Sequence, residues 1–434
     1  MSAECSAGNI PPGYKQTEVG VIPEDWNVET ISAIAETSSG TTPSRAMEDR
    51  YFRNGHIAWV KTLDLNNSEV FFTEERVTQE ALNETSLRCH PAGCIAVAMY
   101  GGYNQIGRTG ILRIPATVNQ ALTVIKPNLH RLCSEYLLEV LNFRVDYWKS
   151  VASSSRKDPN ITSKDIRDFS LALPSVKEQE AIAEALSDAD AFIESLEQFI
   201  AKKRQIKQGA MQELLTGKRR LSGFSGEWEV KLLDDLFDFS GGLSASRDQL
   251  SMEGHCYLHY GDIHTSKKNF IDVRSEQQNI PKLDIYLKKV SSASLLDDGD
   301  VVFVDASEDD EGTSRHVVVF NEDKIPFISG LHTIVAKSKT NELDKQYRQY
   351  CFQTADVKKQ FYFFAVGTKV SGISKTNIAK IMLPVPSLSE QIAIATILSD
   401  MDSEITALEE KLAKARQLKQ GMMQELLTGR IRLL

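Results

Sequence analysis

Two stretches carry residues whose types and spacing could do chemistry. In "HCYLHYGDIH", His255, Cys256, His259 and His264 are potential zinc ligands, since imidazole and thiolate bind that metal. Read as a strand, the run sends alternate side chains to opposite faces, which makes them core and groove residues rather than a metal site. Asp305, Glu308, Asp309, Asp310 and Glu311 form an acidic run of the kind that holds magnesium in nucleases. No suitably placed lysine and no second carboxylate cluster accompanies it, so it reads as a solvated loop. "GGYNQIGRTG", from Gly101, has glycines but lacks the lysine of a phosphate-binding loop. No glycine fingerprint follows a strand and opens a helix, so the chain shows no dinucleotide or methyl-donor site. No catalytic residue, metal site or cofactor is therefore assigned to this chain.

Length and composition bound the rest. At 434 residues the chain is too long for one core and predicts two or three domains. Charged residues make up 25% and hydrophobic residues 41%, ordinary values for a globular protein, and no apolar run approaches a membrane span. The opening "MSAECSAGNIPPGYKQ" lacks the basic start and apolar core of a secretory signal, which predicts a cytoplasmic protein. Its six cysteines show no CxxC pair and read as reduced thiols. A net charge of -9 gives no global case for nucleic-acid binding. Basic residues cluster only locally, at Lys202, Lys203, Arg204 and Lys207, at Lys218, Arg219 and Arg220, and at Lys267 and Lys268. Such runs are usually solvated helix faces.

The elements that would position any site are set by a repeat. Pro174 to Leu221 aligns without a gap to Pro386 to Leu433, and roughly thirty of the forty-eight or so positions are identical. Each copy opens with a proline and a capping-box pattern, Ser175 with Glu178 and Ser387 with Glu390. Apolar residues then follow at coiled-coil spacing: Ile182, Leu186, Ala189, Ile193, Leu196 and Ile200, and Ile394, Leu398, Met401, Ile405, Leu408 and Leu412. The pattern predicts a stutter that moves the seam to Ile206, Ala210 and Leu214, and to Leu418, Met422 and Leu426. Gly217 and Gly429 are natural terminators. About forty residues give a helix of about 60 Å, too long to bury its stripe on one small domain, so the copies are natural partners. Identity extends to positions that packing of the pair does not demand, such as Lys207, Gln208, Gln212 and Glu213, so something else meets both copies.

The organisation is domain, long helix, domain, long helix: a loose tail at 1–14, heads at 15–172 and 222–384, and helical segments at 173–221 and 385–434. The heads match only faintly, through Trp26 and Val28 against Trp228 and Val230, and Ser38 and Gly40 against Ser240 and Gly242. Apolar runs such as "GCIAVAMY", "ALTVIKP", "GDVVFVDA", "HVVVF" and "HTIVAK" predict strands. Helices are predicted at "CSEYLLEVLNFRVDYWKSV" and "DKQYRQYCFQTADVKKQFYFF", so each head is α+β.

With these residues in view, the chain resembles the specificity subunit of type I restriction-modification systems. The resemblance covers nearly the whole chain. It rests on the doubled "EQxAIAxxLSDxD" and "KxRQxKQGxMQELLTG" segments, on "GxIPEDWxV" at Gly20 and on "SxGTTPS" at Ser38. It implies two mixed α/β target recognition domains separated by two long helices that form an antiparallel coiled coil with pseudo-twofold symmetry. It further implies a non-catalytic subunit whose heads each read half of an asymmetric, split site on double-stranded DNA. The helices would set the spacer, and two methyltransferase subunits would dock on them, joined by restriction subunits. Methyl donor and nucleotide would then sit on those partners. The partner interface is expected at Lys207, Gln208, Met211 and Gln212 and again at Lys419, Gln420, Met423 and Gln424. A competing reading is a coiled-coil scaffold whose heads bind proteins.

Base readout requires polar side chains in loops. In the first head the candidates are Arg45, Lys61, Asp64, Tyr103, Asn104, Gln105, Arg108, Arg156 and Lys157. In the second they are Arg247, Asp262, His264, Lys267, Lys268, Arg315, His332 and Lys369. Aligning Gly93 with Gly299 sets the acidic run opposite the first head's Asn/Gln loop.

Overall fold

The computed structural model of the chain describes residues 10–102, 104–153, 160–307, 312–367 and 371–433. It divides into two compact units, Met1–Glu197 with Glu410–Leu434, and Gln198–Glu409. Each unit holds one head, the start of one repeat helix and the end of the other.

The heads share one topology. In the first, a five-stranded sheet runs in the order Ala35–Ser39, Leu122–Pro127, Ile95–Ala98, Thr109–Leu112, Ser68–Val70. In the second, the order is Phe237–Gly241, Thr333–Ser338, Val301–Val304, His316–Phe320, Phe270–Asp272. In both sheets the last pair is parallel and the others are antiparallel. A smaller sheet adds a parallel pair in each head: Ala116–Val118 on Ile57–Val60, and Phe327–Ser329 on His255–Leu258. The second head extends this sheet with Lys282–Leu283 and Leu250–Ser251, where the first head has Arg76–Val77 alone.

These strands are apolar on both faces because both faces are covered. In the first head Ile95, Val97, Ile111 and Ile125 pack with the helix Ser134–Phe143 and with Ile182, Leu186, Leu426 and Leu427 of the repeat helices. Ala96, Ala98, Leu112 and Val124 face Val60 and Val118 of the small sheet. Val301, Phe303 and Val318 pack likewise with Phe352, Phe361, Ile394 and Leu398, and Val302, Val317 and Val335 with Leu258 and Phe327. The five quoted apolar runs all form strands. Each predicted helical segment instead forms two helices, Ser134–Phe143 and Val145–Ser153, then Arg348–Cys351 and Ala355–Phe364. The run "HCYLHYGDIH" is not one strand. It turns at His259 into the helix Tyr260–Thr265, capped by the His259 ring, whose Nδ1 accepts the Gly261 N–H at 3.1 Å.

Both repeat helices span 39 residues, Val176–Leu214 and Leu388–Leu426, and they pack antiparallel. In the first unit Asp190 meets Lys419 at 2.6 Å and Glu197 meets Arg416. In the second, Asp402 meets Lys207 and Glu409 meets Arg204, the same pairs displaced by the repeat offset. The stutter does not occur: Ile206 and Leu418 are 48% and 66% exposed. Three-four spacing instead continues through Lys203, Lys207, Ala210 and Leu214. A lysine suits such a position because its methylene stem packs while its ammonium reaches a carboxylate on the facing helix.

The capping boxes are also corrected. Ser175 Oγ accepts the Glu178 N–H at 3.3 Å, but Glu178 does not return the bond to the serine. It is 2% exposed and accepts from Trp26 Nε1 at 3.1 Å and Arg432 Nε at 2.6 Å. Glu390 is 1% exposed and accepts from Trp228 Nε1 at 3.1 Å and from Arg220. A buried carboxylate needs charged or N–H donors, and an indole with a guanidinium offers stronger partners than one backbone amide. The following glutamines do parallel work. Gln179 bonds the Arg131 and Pro174 carbonyls and the Cys133 N–H, and Gln391 bonds the Glu342 and Pro386 carbonyls and the Asp344 N–H. Among the described residues, no helix is long and apolar enough to cross a membrane.

Candidate nucleic-acid interface

Strand register gathers the polar loops at one end of each head. In the first head Ser39 lies beside Thr123, Ala98 beside Leu122 and Val97 beside Thr109. The small sheet joins the same end, because the Asn119 N–H bonds the Val60 carbonyl at 3.0 Å and the Thr41 N–H bonds that of Val118 at 3.0 Å. In the second head Gly241 lies beside Ile334 and Phe303 beside His316. There the Leu243 N–H bonds the Ser329 carbonyl at 2.7 Å and the Gly330 N–H that of Leu258 at 2.9 Å. Two glycines permit this crossing of loops. A Cβ at Gly40 would lie 2.0 Å from the Asn119 carbonyl oxygen, and one at Gly242 would lie 1.9 Å from that of Gly330.

Every described candidate of the DNA set lies in loops and short helices at these ends. In the first head Arg45 and Lys61 converge on Glu75, at 2.6 and 2.7 Å. Burial works to raise the Glu75 pKa, but the bonds from Lys61 and Arg45 more than offset it and hold the carboxyl below its usual range. The Arg45 guanidinium also lies 4.2 Å above the Phe52 ring. Asp64 turns inward to accept the Lys61 N–H at 2.7 Å. Asn104 is exposed, Gln105 is half-buried beside Gly101, and Arg108 has no side-chain partner among the described residues. Arg108 is thus the freest of the described cations of the set in this head.

The second head is more interlocked. Arg247 pairs with Asp262, and Arg315 donates to the His264 carbonyl. His332 Nδ1 lies 3.2 Å from Asp305 Oδ1. The Tyr260 ring meets His332 edge-on at 5.4 Å and His264 at 6.0 Å, and lies 4.5 Å from His259. Lys267 is exposed, and Lys268 is 3.7 Å from Glu276 and 5.3 Å from the Phe270 ring centre. Tyr103, Arg156, Lys157 and Lys369 lie outside the described residues, as do 308–311 of the acidic run. Sequence reasoning passed over Glu75 and Tyr260 and read Asp305 as part of a solvated loop. An acidic residue between two basic candidates, and an aromatic inside a histidine-rich turn, were the available signals.

On the repeat helices Gln208, Gln212, Gln420 and Gln424 face solvent, while Met211 and Met423 are half-buried against their heads. Lys207 and Lys419 are turned into the helix pair, and Lys419 also approaches the buried Glu139 at 3.6 Å. Among the described residues, no group of three or more His, Cys, Asp or Glu side chains is placed to hold a metal.

Two heads of one topology with different side chains at the same loop end, on a repeated helix pair, match one family model twice. Residues 23–208 and 225–417 fit the type I restriction modification DNA specificity domain. The chain belongs to that family. It is 23% identical to the type I restriction enzyme MjaIX specificity subunit of Methanocaldococcus jannaschii, over 96% of each chain. It is 24% identical to the EcoR124I/EcoR124II specificity subunit of Escherichia coli, over 45% of this chain and 46% of that one. Its fold is similar to the crystal structure of the type I system S subunit from M. genitalium, with a TM-score of 0.55 at 14% identity over 92% and 96% of the chains. A chain from a structural study of type I system assembly and conformational transition gives a TM-score of 0.57 at 14% identity, over 94% and 99%. Both specificity domains are therefore present, and the chain has the role of a DNA specificity subunit.

Proposed function

We propose that each specificity domain reads one half of an asymmetric bipartite site on double-stranded DNA, while the helix pair sets the spacer and docks two methyltransferase subunits. Restriction subunits join these to make the nuclease. The chain itself performs no catalysis and acts in the cytoplasm, with methyl donor and nucleotide bound by its partners. One contrast supports this reading. The loop ends of the two heads share their backbone framework but not their polar side chains, whereas the exposed residues Gln208, Gln212, Gln420 and Gln424 repeat identically. Different surfaces suit different half-sites, and identical surfaces suit one partner bound twice. A protein-binding scaffold would use the same helices but gives no reason for arginine and lysine to collect at both loop ends. The acidic net charge is compatible, because partners that surround the duplex can supply much of the phosphate neutralisation.

The test is equilibrium binding of a split-site duplex by the chain together with its methyltransferase subunit. The expected result is sequence-specific binding that weakens roughly a thousand-fold between about 50 and about 200 mM salt. Salt-insensitive binding without sequence preference would contradict DNA reading, and methyl transfer by the purified chain alone would contradict the non-catalytic role.

A further inference from the structure

We propose that His332, positioned by Asp305 and Tyr260, is the side chain by which the second specificity domain distinguishes one base pair of its half-site; this rests on the DNA reading above. His332 has φ +57°, a left-handed conformation that costs a non-glycine residue about 1 kcal/mol or more and persists only where the surroundings hold it. They do hold it. The Asp305 N–H bonds the His332 carbonyl at 3.1 Å, the Leu331 N–H bonds Tyr257 Oη at 3.0 Å, and Thr333 is already in register with Val304. Asp305 is fixed in turn by the Ile373 N–H on its carbonyl at 2.8 Å. The ring is thus clamped at Nδ1 by Asp305 and on one edge by Tyr260, and Tyr260 is backed by His259.

The restrained ring is not taken into the core: the His332 side chain remains 48% exposed, and among the described residues none engages its Nε2. A strained backbone that fixes an exposed ring at the loop end is poor value for stability and suits recognition, where a side chain must be pre-set to meet a base edge. The first domain repeats the backbone bonds, from the Met99 N–H to the Ala121 carbonyl at 2.8 Å and from the Ile161 N–H to that of Met99 at 2.9 Å, but has neither the left-handed backbone nor the exposed ring. Thr123 pairs with Ser39 as Ile334 pairs with Gly241, so the equivalent position is Ala121, which is buried. The device therefore serves one half-site only, as an asymmetric target requires. Asp305 and Tyr260 are positioning residues, acting through the imidazole.

The experiment maps methylated sites made by the complete methyltransferase complex carrying the natural chain, His332→Gly or Asp305→Asn. Glycine adopts φ +57° freely, so the first variant removes the ring while keeping the backbone. The expected result is loss of discrimination by roughly ten-fold at a single position in the second half-site, with the first half-site and the spacer unchanged. Asp305→Asn should relax the same position to a smaller degree. An unchanged motif in His332→Gly, or an even loss across both half-sites, would overturn the inference. If the natural chain directs no split motif at all, the DNA reading itself fails.

Discussion

Glu178 and Glu390 show how a single residue type is forced by its surroundings. Each is nearly fully buried, and removing a carboxylate from water costs several kcal/mol unless charged or N–H donors replace the solvent. Trp26 with Arg432, and Trp228 with Arg220, are those donors. His316 is the opposite case. It is buried between Phe303 and Phe352, and burial pushes its imidazole down to about 4 from 6.5. Below pH 6.5 the unfolded chain takes up a proton that the folded chain refuses, so stability falls as pH drops from 6.5 to about 4 and this contribution levels off below that. Relative to the natural chain, His316→Leu should gain on the order of 3 kcal/mol across this window, read from denaturant unfolding at each pH. Equal stability differences at pH 7 and pH 4 would contradict the assignment. Sequence reasoning at this scale identified polar loop residues but not their mutual engagement. Arg45 and Lys61 are spent partly on Glu75, and Lys207 and Lys419 on aspartates, because ion pairing depends on contacts between residues far apart in the chain.

At the scale of elements, the repeat helices were legible to within a few residues because periodicity and terminators are local signals. The expected stutter is absent for a physical reason: hydropathy alone assigns the seam to isoleucine and leucine, and the structure assigns it to lysines whose ammonium groups find partners on the facing helix. The terminators make a quantitative prediction. Gly217 and Gly429 have φ +69° and +70°, so alanine at either pays about 1 kcal/mol or more for left-handed backbone. A Cβ at Gly429 would also lie 2.5 Å from the Pro23 ring, whereas one at Gly217 comes no closer than 3.5 Å to Trp228. Gly429→Ala should therefore destabilise the chain by at least 1 kcal/mol more than Gly217→Ala, measured by denaturant unfolding. Equal losses would mean that the close contact with Pro23 does not set the cost.

At the scale of the whole molecule, the doubled helices were written in the sequence and the doubled heads nearly were not. Only Trp26, Val28, Ser38 and Gly40, echoed by Trp228, Val230, Ser240 and Gly242, betray the common topology, because strand order is set by many interchangeable apolar residues while the loops differ freely. That asymmetry is the central claim: the framework is duplicated so that loops can diverge and read different bases. The most direct measurement is a genome-wide map of DNA methylation in the host with and without this gene, followed by replacement of residues 15–172 with the corresponding head of a relative. One asymmetric split motif should vanish on deletion, and the replacement should change one half of that motif while the other half and the spacer persist. An unchanged map on deletion, with the methyltransferase subunit expressed, or a replacement that alters both halves together, would contradict it.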